Sequence, residues 1–297
     1  MNLLETHTVP PDIRNNIRLS DYAVGIFRII PTRKGIKKAI KKGYVWIDGL
    51  PADTGRWVQS GQVIQLMEPE RRPSRIFKFP LTILFEDEYI AVINKPGGIV
   101  VSGNQYRTIQ NALSYNLTDS IAEDALACPM PVHRLDHATS GLLLIAKTRK
   151  ARVVLGKYFE NKQIDKKYQA IVIGKTLASG TIDFPIDGKA AHTRFEINQI
   201  VRSLKNDYLT LVDLYPTTGR THQIRIHLAK SDWPILGDKL YGKEGMILKK
   251  KGLFLTAVGL SFPHPITEEI MNITKDAPAK FGLLLDREQR RWDKRQV

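Results

Sequence analysis

The sequence predicts an α+β fold with a small N-terminal domain and a larger domain built on a mixed, mostly antiparallel sheet flanked by helices. Three observations predict it. Seven short runs rich in β-branched and aromatic residues follow one another between residues 82 and 216, with few helical patterns between them. A basic amphipathic helix and two apolar runs precede them. A stretch rich in proline and charge separates these two parts.

The predicted N-terminal domain, residues 14–67, is marked by a cluster of basic residues. No acidic residue occurs between Tyr22 and Ile47. On a helix the lysines fall on one side, whereas Ile36 and Ile40 fall on the other. Gly43 is suited to end this helix, residues 44–48 and 63–67 read as strands, and Asp48-Gly49 reads as a turn. A solvated charged surface is the alternative to a binding surface. The basic residues in question are Arg33, Lys34, Lys37, Lys38, Lys41 and Lys42.

Residues 68–80 combine three prolines with charge and lack periodicity, so they are predicted to form a linker. The larger domain is expected to span residues 81–285 and to be followed by a charged tail, 286–297. Helical patterns cover residues 149–162 and 222–230, and residues 104–130 match no interpretable motif. The seven strand candidates are residues 82–85, 89–95, 141–147, 166–174, 180–186, 193–201 and 208–216.

Composition limits the classes of function. The chain of 297 residues has a formal charge of +15 and is 42% hydrophobic, enough for a sizeable core. The charge favours a polyanionic partner, because each neutralised phosphate releases condensed counterions, and by itself it leaves RNA, DNA and acidic membranes open. The single Cys128 excludes an intrachain disulfide framework. No run approaches the roughly 18 apolar residues of a spanning helix, so we expect a cytoplasmic protein.

The segment HRLDHATSG, residues 133–141, followed by the apolar run LLLIA, carries the candidate chemistry. It places the carboxylate of Asp136 next to a cation and directly ahead of a predicted interior strand, where a scaffold holds reactive groups rigidly. From these residues alone a structural reading is equally open. In that reading Arg134 pairs with Asp136, and Thr139 caps a turn.

The continuous stretch HRLDHATSGLLLIAK resembles the signature of the RluA-type RNA pseudouridine synthases, close to the large-subunit synthases C and D. VINKPGGIVV (residues 92–101), KYQA (167–170), GRTHQIRIHL (219–228) and LFLTAVGLSFPHP (253–265) resemble further motifs of that family in the same order. Ser102 and Thr256 stand where the family often has histidine. The resemblance spans about residues 80 to 285, and residues 14–67 resemble the S4 RNA-binding domain found in several of these synthases.

The resemblance implies roles for particular residues. Asp136 is the expected nucleophile, Tyr168 stacks on the uracil, and Arg225 pairs with Asp136. Arg134 fills the gap left by a flipped-out uridine, since a planar guanidinium can stack on bases and hold a phosphate. The other implied substrate or RNA contacts are His133, Thr139, Lys95, Pro96, Arg220, His222, Gln223, Leu255 and the six basic residues of the N-terminal helix.

The reaction that this family catalyses requires no metal, redox step or other cofactor, and we expect a monomer whose partner is RNA. Relatives with an S4 domain act mostly on large-subunit rRNA, so 23S rRNA is the expected substrate and tRNA the alternative. Two other classes remain open. One is a non-catalytic RNA-binding protein in which Asp136 is structural. The other is a metal-dependent nuclease or phosphotransferase, although the histidine spacing fits no HExxH pattern.

Overall fold

The computed structural model describes residues 3–13, 17–67, 76–243 and 251–296. The chain divides into two compact units, Met1–Ser74 and Arg75–Val297. This boundary falls inside the predicted linker, of which residues 68–75 lie outside the described residues. In the described part of the chain no helix has both the length and the apolar composition needed to cross a membrane.

The first unit is a four-stranded antiparallel sheet with the basic helix packed on it. Its first strand begins at Leu3, so the unit extends beyond the predicted start at residue 14, because that strand pairs with the last strand of the unit. The strand order is β1-β4-β2-β3. The elements are β1 (Leu3–Thr8), α1 (Leu19–Tyr22), α2 (Arg33–Lys41), β2 (Val45–Ile47), β3 (Leu50–Pro51) and β4 (Val63–Met67).

Helix α2 has the two faces that the sequence predicts. The Thr32 side chain accepts a hydrogen bond from the Gly35 amide and caps the N-terminus. Ile36, Ala39 and Ile40 are buried in the core of the unit. The basic residues of the opposite face are exposed, namely Arg33, Lys34, Lys37, Lys38, Lys41 and Lys42.

The second unit contains a ten-stranded mixed sheet flanked by helices, which confirms the predicted fold class. The order is β10-β11-β12-β9-β13-β8-β6-β5, with β14 on β13 and β7 on β8; β13 and β8 are parallel and the other pairs antiparallel. The strands are β5 (Thr82–Glu86), β6 (Ile90–Lys95), β7 (Ala125–Pro131), β8 (Ser140–Thr148), β9 (Asp165–Ile173), β10 (Ser179–Ile182), β11 (Thr193–Ser203), β12 (Asp207–Pro216), β13 (Leu255–Pro263) and β14 (Ile270–Thr274).

The helices of this unit correct the prediction of a separate charged tail at 286–297. The last helix runs from Lys280 to Gln296, and it packs on the sheet because Leu284 and Leu285 are buried and Glu288 accepts a hydrogen bond from Ser203. The uninterpreted residues 104–130 form a helix and strand β7. The helices are α3 (Ile109–Asn116), α4 (Arg149–Glu160), α5 (Gln223–Lys230) and α6 (Lys280–Gln296).

The close approach of β13 to β8 defines the centre of the sheet. Ala257 lies opposite Gly141 in the parallel ladder, and a Cβ atom on Gly141 would overlap the Ala257 backbone. Gly141 also has φ of +114°, a conformation that glycine adopts without strain. Packing therefore requires glycine at position 141. The close approach of the two strands also places Leu255, at the start of β13, near the candidate catalytic loop.

Candidate active site

A cavity of about 280 Å³ opens where the loop between β7 and β8 meets β9, β13 and the N-terminus of α5. Of the residues that the structure describes in its lining, Asp136 is the only carboxylate. Arg134, Lys166, Arg220 and Arg225 supply positive charge. The remaining lining residues are Val132, His133, Leu135, Thr139, Phe159, Tyr168, Pro216, Thr218, Gly219, Thr221, His222, Gln223, Ile224 and Leu255.

The loop that carries Asp136 is fastened to strand β8. The His133 Nε2 atom accepts a hydrogen bond of 3.0 Å from the Leu144 amide, and the Thr139 amide donates to the Asp136 carbonyl. Burial, followed by the charge of Lys166, lowers the pKa of His133 to about 4. His133 is therefore a neutral structural anchor and not a cationic RNA contact.

Lys95 also holds this loop in place, through hydrogen bonds to its backbone. Its side chain is 0% exposed, and its ammonium donates to the carbonyls of Pro96, His137 and Thr139 at 2.9, 3.3 and 2.7 Å. Burial lowers its pKa to about 8, and the charge of Asp136 opposes this decrease. The prediction that Lys95 contacts the substrate is wrong, because its side chain is buried and all three hydrogens of its ammonium are bonded to backbone carbonyls.

The glycines after Lys95 allow this packing. The Gly98 amide donates a 2.7 Å hydrogen bond to the His137 carbonyl. A Cβ atom on Gly97 would lie 2.9 Å from the carbonyl oxygen of Ala138, too close for any side chain. The segment KPGG therefore packs directly against the candidate catalytic loop, with Pro96 half-buried beside it.

Asp136 is accessible from the cavity, with 18% of its side chain exposed. The side chains of Arg225 and His222 face it from the start of α5. The Arg225 Nη1 atom lies 3.6 Å from one carboxylate oxygen, and the His222 Nε2 atom lies 3.8 Å from the other. Both distances exceed those of a direct hydrogen bond, so the carboxylate oxygens keep lone pairs free.

Arg225 makes its direct hydrogen bonds to a different carboxylate. Its Nε and Nη2 atoms donate to Asp238 at 2.7 and 2.8 Å, and both side chains are buried. Burial alone would raise the pKa of Asp238, but the bonds from Arg225 and from the amides of Leu240 and Tyr241 lower it. Burial would also lower the pKa of Arg225, and the two carboxylates more than offset this. The pair is therefore ionised at neutral pH.

Tyr168 lies on β9 and faces the cavity beside Asp136. Burial and then the negative charge of Asp136 raise the pKa of its phenol. The hydroxyl is protonated throughout the physiological range, so the ring can stack on a base and the hydroxyl can donate a proton but does not act as a phenolate.

The comparisons with known proteins agree on one family. Residues 89–230 match the family described as RNA pseudouridylate synthase. An Aquifex aeolicus protein named "Uncharacterized RNA pseudouridine synthase" is 33% identical over 84% of this chain and 87% of its own length. The chain belongs to the RNA pseudouridylate synthase family. It is thus an isomerase that acts on uridines in RNA.

Two further relatives give the same result. The protein named "Ribosomal large subunit pseudouridine synthase D" of Xanthomonas campestris is 32% identical over 86% of this chain and 84% of its own length. The solved structure titled "Human RNA Pseudouridylate Synthase Domain Containing 4" is 26% identical, with a TM-score of 0.56, over 69% of this chain and 92% of that one. The synthase fold therefore covers most of the second unit.

The structure brings most of the residues expected in the synthase site to one cavity. Arg134 is exposed at its edge and is available to RNA, whereas Arg220 donates to the Ala190 carbonyl through Nε. Gln223 is buried, accepts from Thr218 and donates to His192, so its amide positions the loop before α5 and has no group left for substrate. The basic residues of α2 belong to the first unit and are not part of this cavity.

Three residues in or next to this cavity are not predicted from the sequence: Lys166 lines it, and Asp238 and Tyr241 contact α5 beside it. Lys166 could have been found, because it precedes Tyr168 by two positions on β9 and so faces the same side of the sheet. Its pKa is lowered by burial. Asp238 and Tyr241 have no local signal, since their roles arise from contacts with α5 across the fold. No group of three or more potential metal-ligating side chains occurs among the residues described.

Proposed function

We propose that this synthase isomerises uridines of 23S rRNA and that Asp136 is its nucleophile. The observation that carries the proposal is the isolation of Asp136 as the only carboxylate among the described residues of a cavity otherwise lined by cations, amides and apolar side chains. A cavity of this composition accepts a neutral base on an anionic backbone. Its volume of about 280 Å³ suits a single nucleotide rather than a duplex.

The target uridine must leave its stack to enter this cavity, at a cost of a few kcal/mol. Arg134 is exposed at the cavity edge, and its guanidinium forms no hydrogen bond or ion pair within the described residues. It is therefore free to stack in the vacated position or to hold a flanking phosphate. Leu255 forms part of the apolar wall against the extruded base.

The isomerisation breaks the bond between N1 and C1′ and forms a bond between C5 and C1′, while a proton leaves C5 and another is gained at N1. Asp136 supports this exchange as a carboxylate that forms a covalent intermediate and then leaves. Arg225 places a positive charge 3.6 Å from this carboxylate without a direct hydrogen bond. Attack on the sugar, attack on the base, and elimination to a glycal are all routes that begin at this group.

The first unit supplies additional RNA affinity through α2. Six basic side chains are exposed on one face of a helix whose other face is buried. Like charges this close repel one another at a cost of a few tenths of a kcal/mol per pair, which a phosphate backbone relieves. The relatives named ribosomal large subunit pseudouridine synthase D support rRNA as the substrate.

The test is incubation of the purified protein with unmodified 23S rRNA and, separately, with pooled unmodified tRNA, followed by mapping of pseudouridines at single-nucleotide resolution. Asp136→Asn is compared with wild type, and Asp119→Asn, the same change at an exposed loop carboxylate, is the matched control. We expect new sites in 23S rRNA with wild type and Asp119→Asn only.

Other outcomes separate the parts of the proposal. Sites in tRNA alone would overturn the substrate and keep the nucleophile. Sites formed by Asp136→Asn at the wild-type rate would overturn the role of Asp136. RNA binding without modification by any variant would leave a binding protein.

A further inference from the structure

A row of alternating cationic and aromatic side chains lies at the start of β12, whereas Pro216 at the other end of this strand lines the cavity. The guanidinium carbon of Arg202 is 4.2 Å from the centre of the Tyr208 ring and 4.9 Å from the centre of the Trp292 ring. The Lys175 ammonium is 5.9 Å from the centre of the Tyr208 ring. We call these four residues the cation-aromatic row, and their order is Lys175, Tyr208, Arg202 and Trp292.

Three separate parts of the fold build this row. Arg202 and Tyr208 lie opposite each other in the ladder of β11 and β12. Lys175 follows β9, and Trp292 belongs to α6. The Arg202 amide donates a 2.9 Å hydrogen bond to the Gln289 side chain, which fastens α6 to this hairpin. The row is therefore held in place by the folded sheet and helix, and its side chains are half-buried or exposed.

We propose that the cation-aromatic row is a second RNA-binding surface, on which Arg202 binds a backbone phosphate of the RNA whose uridine enters the cavity. This inference rests on the proposed function, because it concerns the rRNA substrate, and it adds a surface outside both the cavity and α2. A guanidinium binds a phosphate most strongly through two parallel hydrogen bonds. Alternation of basic and aromatic side chains is typical of surfaces that bind single-stranded RNA, where bases stack on rings and cations hold the backbone.

The N–H groups of the Arg202 side chain are available to a ligand. Contact with a ring uses the face of a guanidinium, whereas the N–H groups lie in its plane. Within the described residues this guanidinium donates no hydrogen bond and forms no ion pair, and its contacts are the two rings. Because the rings restrict its movement before RNA arrives, less conformational entropy is lost on binding.

The carboxylates near the row do not pair with Arg202. Glu288 is buried and accepts a hydrogen bond from Ser203, and Asp293 accepts one from within its own helix. Asp207, at the start of β12, is exposed and forms no ion pair with Arg202. In the part of the chain that the structure describes, Arg202 therefore lacks a carboxylate partner, and a phosphate is complementary to it in charge.

The row lies on the same face of the sheet as the cavity. Side chains alternate along a strand, so Tyr208 and Leu214 of β12 point to the same face. Leu214 is directly opposite Tyr168, which lines the cavity. Six residues of a strand span about 20 Å. An RNA whose uridine occupies the cavity can therefore reach the row without crossing an edge of the sheet.

The first experiment measures the affinity and the single-turnover rate of Arg202→Gln with unmodified 23S rRNA at several salt concentrations. Glutamine keeps a planar end that can pack against the rings, and it lacks the charge and the two-pronged geometry. We expect the dissociation constant to rise about tenfold, as for a lost hydrogen bond to a charged group, and the slope of log affinity against log salt to fall by about 0.7–0.9. The rate at saturating RNA should equal that of wild type, because Arg202 is not among the described lining residues of the cavity.

The matched control is Arg290→Gln. Arg290 is exposed on α6 two positions before Trp292, and so about 200° away from it around the helix. The control removes the same charge from the same helix outside the row, so its affinity and salt slope should stay close to those of wild type. Wild-type values for Arg202→Gln, or an equal loss in the control, would overturn the proposal and leave the row as a clamp between α6 and the sheet.

The aromatic rings are tested by a change that leaves the net charge as it is. Tyr208→Leu removes a ring from Arg202. We expect about threefold weaker RNA binding with an unchanged salt slope, because the freed guanidinium must then be ordered by the RNA. Tyr208→Phe keeps the ring and should bind as wild type does. Wild-type binding by Tyr208→Leu, or an equal loss with phenylalanine, would contradict the proposal.

Folding and the premise are checked separately. If Arg202→Gln does not fold, as judged by circular dichroism, Arg202→Lys keeps the charge without the planar fork. RNA affinity about threefold below wild type then supports the proposal, and wild-type affinity overturns it. Trp292→Leu replaces Tyr208→Leu in the same way and with the same expectation. If wild type forms no pseudouridine in 23S rRNA, the proposed substrate fails whatever Arg202 does. If wild type forms pseudouridine there and Arg202→Gln binds this RNA as wild type does, only this inference fails.

Discussion

The buried ammonium of Lys95 predicts how the stability of this synthase depends on pH. Burial lowers its pKa from 10.5 to about 8. At about 1.4 kcal/mol per unit, keeping this group charged in the folded state costs about 3 kcal/mol at neutral pH. Between pH 8 and 10.5 the unfolded chain binds more protons at this residue than the folded chain does. The free energy of unfolding therefore rises with pH across that window.

The assay compares wild type with Lys95→Met by urea unfolding at pH 7 and pH 9.5. The folded and unfolded pKa values give a gain of about 2 kcal/mol for wild type over this interval. Methionine does not titrate, so the free energy of unfolding of wild type minus that of Lys95→Met should increase by the same amount. The other titrating groups contribute equally to both proteins and cancel in this subtraction. The matched control is Lys157→Met, at an exposed lysine of α4. A difference that does not change with pH would refute the reasoning.

The same residue has a catalytic readout. A protonated lysine donates three hydrogens, one each for the carbonyls of Pro96, His137 and Thr139, whereas a neutral amine donates two. As pH rises through about 8, Lys95 loses one of these three hydrogen bonds and the positive charge that strengthens the other two, so the loop that carries Asp136 is held less firmly. We expect the single-turnover rate of wild type to fall above this pH. Lys95→Met should be slower at every pH and should lack this basic limb, and a retained limb would assign it to another group.

Three further predictions concern other residues. Arg225→Ala strands the buried Asp238, so it should lose activity and also about 3–5 kcal/mol of stability by urea unfolding, and unchanged stability would contradict the buried pair. Tyr168→Phe keeps the ring but removes the protonated hydroxyl, and we expect unchanged RNA affinity with a single-turnover rate lower by about 10²–10⁴-fold, as for a lost proton-transfer group; a near-normal rate would assign Tyr168 to stacking alone. Lys37→Ala with Lys41→Ala should weaken RNA binding and reduce the slope of log affinity against log salt by about 1.5 relative to a Lys150→Ala, Lys294→Ala control, and an unchanged slope would mean that α2 is only a solvated surface.

The sequence predicts the sheet because its strands carry local signals. Alternation in β11 and β12 and the apolar run in β8 follow from which face each side chain must bury. The amphipathic α2 follows from the same reasoning at a helical period. The sequence does not predict the last helix, because charged residues dominate the composition of 286–297. Its few buried residues, Phe281, Leu284, Leu285 and Glu288, become apparent only when the sheet is in place.

The candidate site is predicted only in part, for a related reason. Asp136, Tyr168 and Arg225 belong to motifs that can be recognised along the chain. The burial of Lys95 cannot be predicted from its neighbours in sequence, since NKPGG is compatible both with an exposed loop and with a buried segment. Asp238 acts on a residue 13 positions away through a turn that packs against α5. Interactions of this kind are set by tertiary packing, which leaves no periodic signal.

The position of Asp136 depends on segments that are distant in sequence. Residues 89–230, which match the synthase family, contain the candidate catalytic loop, Tyr168 and Arg225. They do not contain Asp238, which orients Arg225, or β13, whose parallel pairing with β8 supplies Leu255 and requires Gly141. The loop itself makes one backbone turn, and it is also held by Lys95 from β6, by the Gly98 amide and by Leu144 from β8. The Asp136 carboxylate is therefore positioned by the assembled sheet rather than by its own motif. If it is the nucleophile, changes far from HRLD in sequence should alter the rate without altering RNA affinity.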